Sequence, residues 1–441
     1  KCSPRLENSS NASSSNEIFF RFFKIMEVFK FGGASVKDSQ GVINLVDILS
    51  KKKSEKTIII VSAMGKSTNA LEKIIELYFA EANQVSSEII SLKEFHLKII
   101  NNLFKEGNND CEKEVHKLFE ELKLFLKSNK SPDFSFVYDQ VVCFGELLST
   151  TIIHYYMKYK KLDSFWLDAR NCVKTDDYYR SANLNWELTQ KSIIHQVGNC
   201  SLIITQGFIG SSLNNFTTTL GREGSDYSAA IFAYALNAKS VTIWKDVPGV
   251  LNGDPRVFKK TRLLNQISYR EAIELAFYGA SVIHPKTLQP LQRKEIPLYV
   301  KSFENPKSKG TSISKGKALE PNIPCYIVKK HQVLLRLSSI DFSFIVEENI
   351  SYIFGLLHEY QMPVELIQNS AISFSVCVNN KYNRLEELVL VLRSRFNVEV
   401  IKEVDLYTIR HFDTSASQFI KSIGKPVLLE QRTQQTAQFV V

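Results

Sequence analysis

The sequence predicts an α/β protein in two parts: a large part with a mainly parallel sheet between layers of helices, and a smaller part with antiparallel strands. From about residue 26 to residue 306, short apolar runs alternate with helical patterns. This alternation is typical of buried parallel strands joined by crossover helices. Beyond residue 330 the order of predicted elements becomes strand, helix, strand, strand, helix, strand, which is the order of a ferredoxin-like unit.

Length and composition fit an ordinary globular protein of two or three domains. The chain has 441 residues, of which 44% are hydrophobic and 23% are charged. The net charge of +9 is spread along the chain, so we expect no nucleic-acid partner. Seven scattered cysteines without a CxxC pair indicate a reducing compartment and no zinc site. No apolar run approaches the length of a membrane span, and we expect a cytoplasmic protein without membrane contact.

Residues 1–25 are predicted to be an unstructured extension. Six of the first sixteen residues are serines, and Met26 stands directly before the first convincing strand. The segment lacks the apolar core and the cleavage site of a secretory signal, whereas a transit-like extension stays open as an alternative.

Residues 26–306 are predicted to form the large α/β part. Apolar runs bounded by polar residues predict its strands, and apolar positions at helical spacing predict its helices. Residues 71–126 are expected to be largely helical, with a break at 108–110. The predicted strands are Glu27–Phe31, Thr57–Ser62, Ser201–Gln206 and Ser240–Trp244, and the clearest helices are Gln40–Leu49, Ser228–Ala235 and Tyr269–Phe277.

The smaller part follows a predicted linker at residues 307–330, which is rich in lysine and contains glycine and proline. Residues 331–405 are predicted to form the complete strand–helix unit. Residues 406–441 repeat part of that pattern, and we interpret them as an abbreviated second unit.

The polar stretch from Leu220 to Asp226 precedes an apolar helix. Its glycines allow the backbone to approach a ligand, and a helix start presents unpaired N–H groups. Arg222 could bind a carboxylate with its planar guanidinium group, and Asp226 could hold a metal or orient an amine. Taken alone, an ordinary capped turn explains the stretch about equally well.

Other polar turns follow predicted strands, where α/β proteins bind ligands. The turn at 30–33 places a lysine before two glycines, which suits phosphate oxygens but is not a Walker A loop. Glu146, beside a glycine, is expected in the first turn of an apolar helix. The hydroxyl-rich turn at 62–69, the loop at 244–256 and a second lysine-bearing turn at 279–286 complete the set. His284 in the last turn is expected to be structural.

In this order, these clusters closely resemble the signatures of aspartate kinases of the amino-acid kinase family. The resemblance runs from Met26 to the C-terminus, and the tail resembles the paired ACT regulatory modules of that family. It implies a carbamate kinase-like catalytic domain of three αβα layers at 26–306, an ACT domain at 331–405 and an abbreviated one at 406–441. The signatures are Lys30-Phe31-Gly32-Gly33, Phe144-Gly145-Glu146-Leu147-Leu148-Ser149, Thr219-Leu220-Gly221-Arg222-Glu223-Gly224-Ser225-Asp226, Asp246-Val247-Pro248-Gly249-Val250 with Asp254-Pro255-Arg256, and Gly279 to Lys286.

The resemblance implies ATP-dependent phosphorylation of the L-aspartate side chain to 4-phospho-L-aspartate, the entry to lysine, threonine and methionine synthesis. ATP and Mg²⁺ would be the cofactors, with the metal held mainly through ATP phosphates and without direct protein ligands. An amino-acid effector, lysine or threonine, is expected at the ACT modules near Glu365 and Ile367. The resemblance also implies a homodimer through these modules.

The same resemblance implies a role for each matching residue. Lys30, Asp226 and Lys286 would act on the transferring phosphate, with Gly32 and Gly33 forming a phosphate-binding turn. The aspartate pocket would comprise Ser62, Thr68, Glu146, Arg222 and Ser225. The nucleotide would contact Lys245, Asp246, Asp254 and Arg256.

The chain departs from the family pattern at several positions. Glu223 stands where a glycine is usual and brings a carboxylate next to an anionic site, so we expect it to point away and to pair with a basic residue. Glu365 keeps one carboxylate for an effector, whereas Ala371 loses another, which weighs against inhibition by lysine. Two alternatives remain open: a non-catalytic amino-acid sensor of the same fold, and a kinase acting on glutamate, N-acetylglutamate or UMP.

Overall fold

The computed structural model of the chain describes residues 26–51, 56–107, 109–280, 283–341 and 343–441. The predicted extension at 1–25 lies outside these residues. The chain divides into two compact units. Of the described residues, the N-terminal unit holds those up to Val250 together with 265–273 and 283–318, and the C-terminal unit holds the remaining ones.

An eight-stranded sheet forms the middle of the N-terminal unit. Its central strands are parallel to one another, whereas β10 runs antiparallel to β9. The strands β1 and β2 are buried along their whole length, as expected of strands covered on both faces. The strands are β1 (Glu27–Phe31), β2 (Thr57–Val61), β3 (Phe165–Leu167), β4 (Leu202–Gln206), β7 (Ser240–Lys245), β8 (Gln266–Ser268), β9 (Leu298–Ser302) and β10 (Thr311–Ser314), in the order β3-β4-β2-β1-β7-β9-β10-β8. A separate hairpin joins β5 (Ile209–Ser211) to β6 (Thr217–Thr219).

Helices connect these strands. Several begin at a side-chain cap; for example, Asp38 accepts the N–H of Gly41 at 2.8 Å, which satisfies one unpaired donor of the first turn. The described helices before residue 300 are α1 (Ser39–Ser50), α2 (Ser67–Phe79), α3 (Val85–Leu103), α4 (Asn109–Ser128), α5 (Phe134–Tyr159), α6 (Trp186–Val197), α7 (Gly224–Leu236), α8 (Tyr269–Phe277) and α9 (Pro285–Arg293).

The helix α5 is the central helix of the N-terminal unit. Among the described residues it is the one helix long and apolar enough to cross a membrane by length and composition, yet 83% of its most apolar window is buried inside the protein. A buried core helix meets the same criteria as a membrane span. Glu146 lies in the middle of α5, so the expectation that it belongs to a first turn is wrong. The helix begins at Phe134, well before the glycine that the prediction used as its start, and Asp133 caps it by accepting the N–H of Ser135.

The C-terminal unit contains one six-stranded antiparallel sheet, in the order β12-β13-β11-β14-β16-β15. Four of its strands and two helices form the predicted ferredoxin-like unit, with α10 and α11 contributing to one apolar core. The elements are β11 (Cys325–Ser339), α10 (Glu347–Glu359), β12 (Val364–Asn369), β13 (Ser373–Val378), α11 (Leu385–Leu392), β14 (Phe396–Arg410), α12 (Thr414–Ser422), β15 (Leu429–Arg432) and β16 (Thr436–Val440).

The predicted fold class is therefore confirmed, but the predicted linker at 307–330 is more than a connection. Residues 311–314 form β10 of the large sheet, and β11 already begins at Cys325. The first half of β11 pairs with the second half of β14, from Leu406 to Arg410, and this half of β14 pairs with β16. The second small unit thus gains a strand from the chain before the first unit. Sequence order alone does not reveal this arrangement, because the two halves of the 15-residue strand β14 pair with different segments of the chain.

Candidate active site

Three polar residues meet at the carboxyl edge of the large sheet because their strands are adjacent and parallel. The strand β1 lies between β2 and β7. Lys30 lies near the end of β1, Ser62 directly follows β2, and Lys245 ends β7. Ser62 is fixed there by its N–H, which donates to the carbonyl of Phe31 at 3.1 Å. The edge thus collects ligand-binding groups where parallel sheets usually bind ligands.

A buried carboxylate, Asp226, holds the two lysines together. The Nζ of Lys30 lies 2.6 Å from Oδ1 of Asp226, and the Nζ of Lys245 lies 3.6 Å from Oδ2. Burial alone would raise the pKa of Asp226, but the charges and hydrogen bonds of the two lysines outweigh burial and lower it. Two lysines against one carboxylate leave a net positive charge, which suits a phosphate group.

Glu146 contributes a buried carboxyl group that is not paired with any lysine the structure describes. Its Oε1 accepts the N–H of Ala63 at 3.1 Å, whereas its buried Oε2 has no hydrogen-bond partner among the described residues. Burial raises the pKa of Glu146 to about 8, although the N–H of Ala63 and the charge of Lys30 act in the other direction. Gly145 allows this contact, because a Cβ there would lie 2.8 Å from the Cβ of Ala63. A buried unpaired oxygen of this kind fits a cationic ligand group.

The first turn of α7 brings Ser225 and Asp226 into the same place. Glu223 precedes the helix with φ +55°, and its side chain does not cap this end. Instead the N–H groups of Gly224 and Asp226 donate to the backbone carbonyls of Gly221 and Glu223, each at 3.0 Å, and the helix N-terminus carries a partial positive charge. Arg222 lies in the exposed turn before it.

Glu223 makes a contact that the sequence did not predict. Its Oε2 accepts the backbone N–H of His284 at 2.9 Å, so its partner is a main-chain amide and not a basic side chain. His284 in turn accepts the N–H of Lys286 at 3.2 Å and caps α9, which agrees with the structural role expected for this histidine. Glu223 also lines the central cavity, so the residue does not simply point away.

These residues surround one open cavity of about 520 Å³. All five residues predicted for the aspartate pocket lie in its wall with Lys30, Asp226 and Lys245, together with three residues that the motifs did not indicate: Tyr138, Arg180 and Phe208. The complete lining is Lys30, Ser62, Thr68, Tyr138, Glu146, Arg180, Phe208, Gly221, Arg222, Glu223, Gly224, Ser225, Asp226 and Lys245. A sequence signal for Arg180 did exist, since the segment around it is polar and rich in turns, but no motif distinguished it.

Other predicted residues lie elsewhere. Lys286 is exposed and lines a second, smaller cavity of about 180 Å³ with Arg293 and Trp186. Gly32 and Gly33 form the turn after β1, where the carbonyl of Gly33 accepts the N–H of Gly65 at 3.0 Å.

The loop that follows β7 carries the remaining predicted nucleotide contacts. Asp246 is exposed at its start. Asp254 and Arg256, in the C-terminal unit, form an exposed ion pair with each other at 2.6 Å. The role expected for each of these residues stays a prediction.

The side chains of the cavity wall could accommodate a metal ion only together with phosphate oxygens. Among the described residues, no three His, Cys, Asp or Glu side chains converge on one point. Asp226, a buried carboxylate of the cavity wall, is already paired with two lysines. This set fits a Mg²⁺ ion that arrives on phosphate oxygens and keeps its waters, and it does not fit a resident metal cage.

In the C-terminal unit, the predicted effector residues lie on β12. Glu365 forms an ion pair with Lys329 of β11, and Ile367 is exposed. The carboxylate expected to face an amino-acid effector is therefore already paired within the chain.

Comparison with known proteins decides the family. Residues 26–302 match the model of the amino acid kinase family. The chain belongs to this family. It is 31% identical to the lysine-sensitive aspartokinase 3 of Escherichia coli over 360 residues, which cover 80% of this chain and 78% of that protein. It spans 47% of the bifunctional aspartokinase/homoserine dehydrogenase of Buchnera aphidicola, to which it is 29% identical.

Solved structures agree with this membership. E. coli aspartokinase III in complex with aspartate and ADP superimposes with a TM-score of 0.78 at 27% identity, covering 94% of this chain and 96% of that one. The same enzyme in complex with lysine and aspartate gives a TM-score of 0.77 at the same identity and coverage.

The raised pKa of Glu146 predicts a pH-dependent affinity for an ammonium ligand. Below pH 8 the empty site holds a protonated Glu146, and an ammonium group requires the ionised form, so binding must release a proton. We expect the kcat/KM for an amino-acid substrate to rise by up to about tenfold per pH unit until pH 8. Glu146→Gln should lower affinity and abolish this dependence. Calorimetry in two buffers of different ionisation enthalpy measures the proton, and a binding event without proton release would contradict the assignment.

Proposed function

We propose that the chain is an aspartate kinase that transfers the γ-phosphoryl group of ATP to the side-chain carboxylate of L-aspartate. The observation that carries this proposal is a single cavity in which Glu146 offers an unpaired oxygen and Lys30, Lys245 and Asp226 offer a net positive charge. The relatives and the structural neighbours named above are aspartokinases, one of them solved with aspartate and ADP. The sequence motifs and the named relatives thus indicate the same function.

The chemistry requires little from the protein beyond position and charge. A substrate carboxylate is ionised at neutral pH, so no general base is needed. One of its oxygens attacks the γ-phosphorus, the bond between that phosphorus and the β–γ bridging oxygen breaks, and ADP leaves with the bond's electron pair. Lys30 and Lys245, at the positive end of the cavity, would stabilise the charge that spreads over the phosphoryl oxygens.

The aspartate would lie between the two ends of the cavity. Its ammonium group would meet Oε2 of Glu146, and its α-carboxylate would meet Arg222 as a bidentate partner. Its side chain would then face the lysines, with Ser62, Thr68 and Ser225 as hydroxyl donors. These residue roles are supported by shared membership of the cavity wall. When bound with ATP, Mg²⁺ would supply neutralisation of the phosphate charge.

The alternative of a non-catalytic sensor is not favoured. A protein that only binds an amino acid has no need of two lysines against one buried carboxylate, since burying charges is costly unless they serve a purpose. Lys30 and Asp226 are both nearly inaccessible to solvent. A coupled ADP-release assay with aspartate, glutamate and N-acetylglutamate separates the three readings, and no turnover with any of them would favour the sensor.

Arg222→Ala tests the aspartate pocket. Because the guanidinium group is assigned to the substrate α-carboxylate, its loss should raise the KM for aspartate by about tenfold to a hundredfold and the KM for ATP far less. Steady-state kinetics with each substrate varied in turn provides the measurement. Equal increases in the two KM values would remove Arg222 from this role.

A pair of lysine variants tests the phosphate side. Lys30→Met should lower kcat by about a hundredfold or more with a smaller change in either KM, because a charge beside the phosphoryl group acts mainly in the transition state. Lys286→Met should lower kcat by less than about threefold, since Lys286 lines a different cavity. If both variants lose kcat equally, Lys286 reaches the phosphate after all. Thermal melting controls for the folding of each variant.

We also propose that the C-terminal unit responds weakly to lysine. An added lysine would compete with Lys329 for Glu365. We expect Lys329→Met to become more sensitive to lysine than the wild type, whereas the neighbouring exposed Lys330→Met should not. Activity measured against lysine concentration shows the difference, and equal inhibition of all three proteins would contradict the competition.

The homodimer expected from the resemblance stays a prediction for light scattering to test.

A further inference from the structure

Arg180 lines the central cavity beside the residues of the proposed aspartate pocket. It lies in the loop between β3 and α6 and is exposed. Its backbone has φ +67°, in the left-handed region that a non-glycine residue adopts only where its surroundings impose it. Such backbone conformations are concentrated at binding sites.

A buried carboxylate holds the backbone of Arg180. Its N–H donates to both carboxylate oxygens of Asp139, at 3.2 and 3.1 Å. The same carboxylate accepts the N–H and the hydroxyl of Thr219, each at 2.8 Å. Thr219 ends β6, which leads directly into the turn of Arg222. Asp139 thus ties the loop of Arg180 to the helix α5 and to the strand before the substrate turn.

Two aromatic rings hold the side chain. The guanidinium carbon lies 4.6 Å from the ring centre of Tyr138 and 5.6 Å from that of Phe134, which are distances of cation–π attraction. The hydroxyl of Tyr138 donates to Glu72 at 2.8 Å and fixes that ring. Arg180 is not among the arginines that pair with a carboxylate in the described part of the chain. Its N–H donors are therefore oriented, charged and available to a ligand.

The loop of Arg180 touches the turn of Arg222. A Cβ on Gly221 would lie 3.3 Å from the carbonyl oxygen of Arg180 and 3.2 Å from the hydroxyl of Ser181. Two exposed arginines thus line one cavity from touching loops, whereas Lys30 and Asp226 form its buried end. In the proposed binding mode the substrate side chain faces that buried end. Its α-carboxylate is then the anionic group left for the exposed arginines.

We infer that Arg180 is a second binding residue for the substrate α-carboxylate and, with Arg222, restricts the enzyme to amino acids whose α-carboxylate is free. This inference rests on the proposed aspartate kinase function. The wild-type assay tests that function by itself, so a failure of one is distinguishable from a failure of the other. Two guanidinium groups on one carboxylate satisfy more of its lone pairs than a single fork does.

Arg180→Gly is the decisive variant. Glycine adopts a positive φ readily, and its N–H can keep the bond to Asp139, so only the side chain is lost. We expect a melting temperature close to that of the wild type, a KM for aspartate raised by about tenfold to a hundredfold, and an unchanged KM for ATP. Arg395→Gln is the matched control, because Arg395 is also exposed and lies 4.3 Å over a tyrosine ring, that of Tyr352. It should leave both KM values unchanged.

A substrate analogue identifies the group that Arg180 contacts. The α-amide of aspartate keeps the ammonium and the side-chain carboxylate but lacks the α-carboxylate charge. Its inhibition constant against the wild type and against Arg180→Gly should differ by less than about twofold. A loss as large as that found with aspartate would place Arg180 on another part of the substrate and overturn the inference. An unchanged KM for aspartate in Arg180→Gly, or equal increases for aspartate and ATP, would overturn it as well.

Discussion

The ion cluster of Asp226 with Lys30 and Lys245 is the interaction on which the rest of the site depends. A buried carboxylate is costly unless it is paired, and removing one partner of a buried pair typically costs about 3–5 kcal/mol. The cluster joins β1, β7 and the first turn of α7. It therefore fixes the sheet edge and the helix start against each other, and it also creates the positive charge that phosphoryl transfer requires.

In the wall of the cavity and directly behind it, three buried carboxyl groups differ in environment. Asp226 is held ionised by its lysines. Glu146 is buried with one unpaired oxygen, and burial brings its pKa close to 8. Asp139, also fully buried, has its pKa raised to about 6 by burial and serves as an acceptor for two loops. Environment thus gives the same chemical group, a carboxyl, three functions: pairing cations, awaiting an ammonium group and fixing the backbone.

In the C-terminal unit, the two small units share strands. Two 15-residue strands, β11 and β14, pair along most of their length and belong to both small units at once. Their shared strands make one continuous sheet of the two units. Glu365 on β12 is neutralised by Lys329 from β11, so the charge that an effector would meet depends on a residue from the segment predicted as a linker.

The sequence by itself determined the fold class, the family and most of the cavity wall. Motifs such as the one ending in Asp226 combine glycines, charges and a helix start within a few residues. Such local patterns can be recognised in the sequence without knowledge of the fold. What only the tertiary structure decided were contacts between distant segments. The backbone N–H groups of Ala63, His284 and Arg180 donate to the side chains of Glu146, Glu223 and Asp139, and these bonds join residues 41 to 83 positions apart. The location of Lys286 also depends on the tertiary structure: its motif suggested a contact with the phosphate, whereas its packing places it beside another cavity. Periodicity and spacing report which residues share an element, whereas the direction of each side chain is set by close packing between elements.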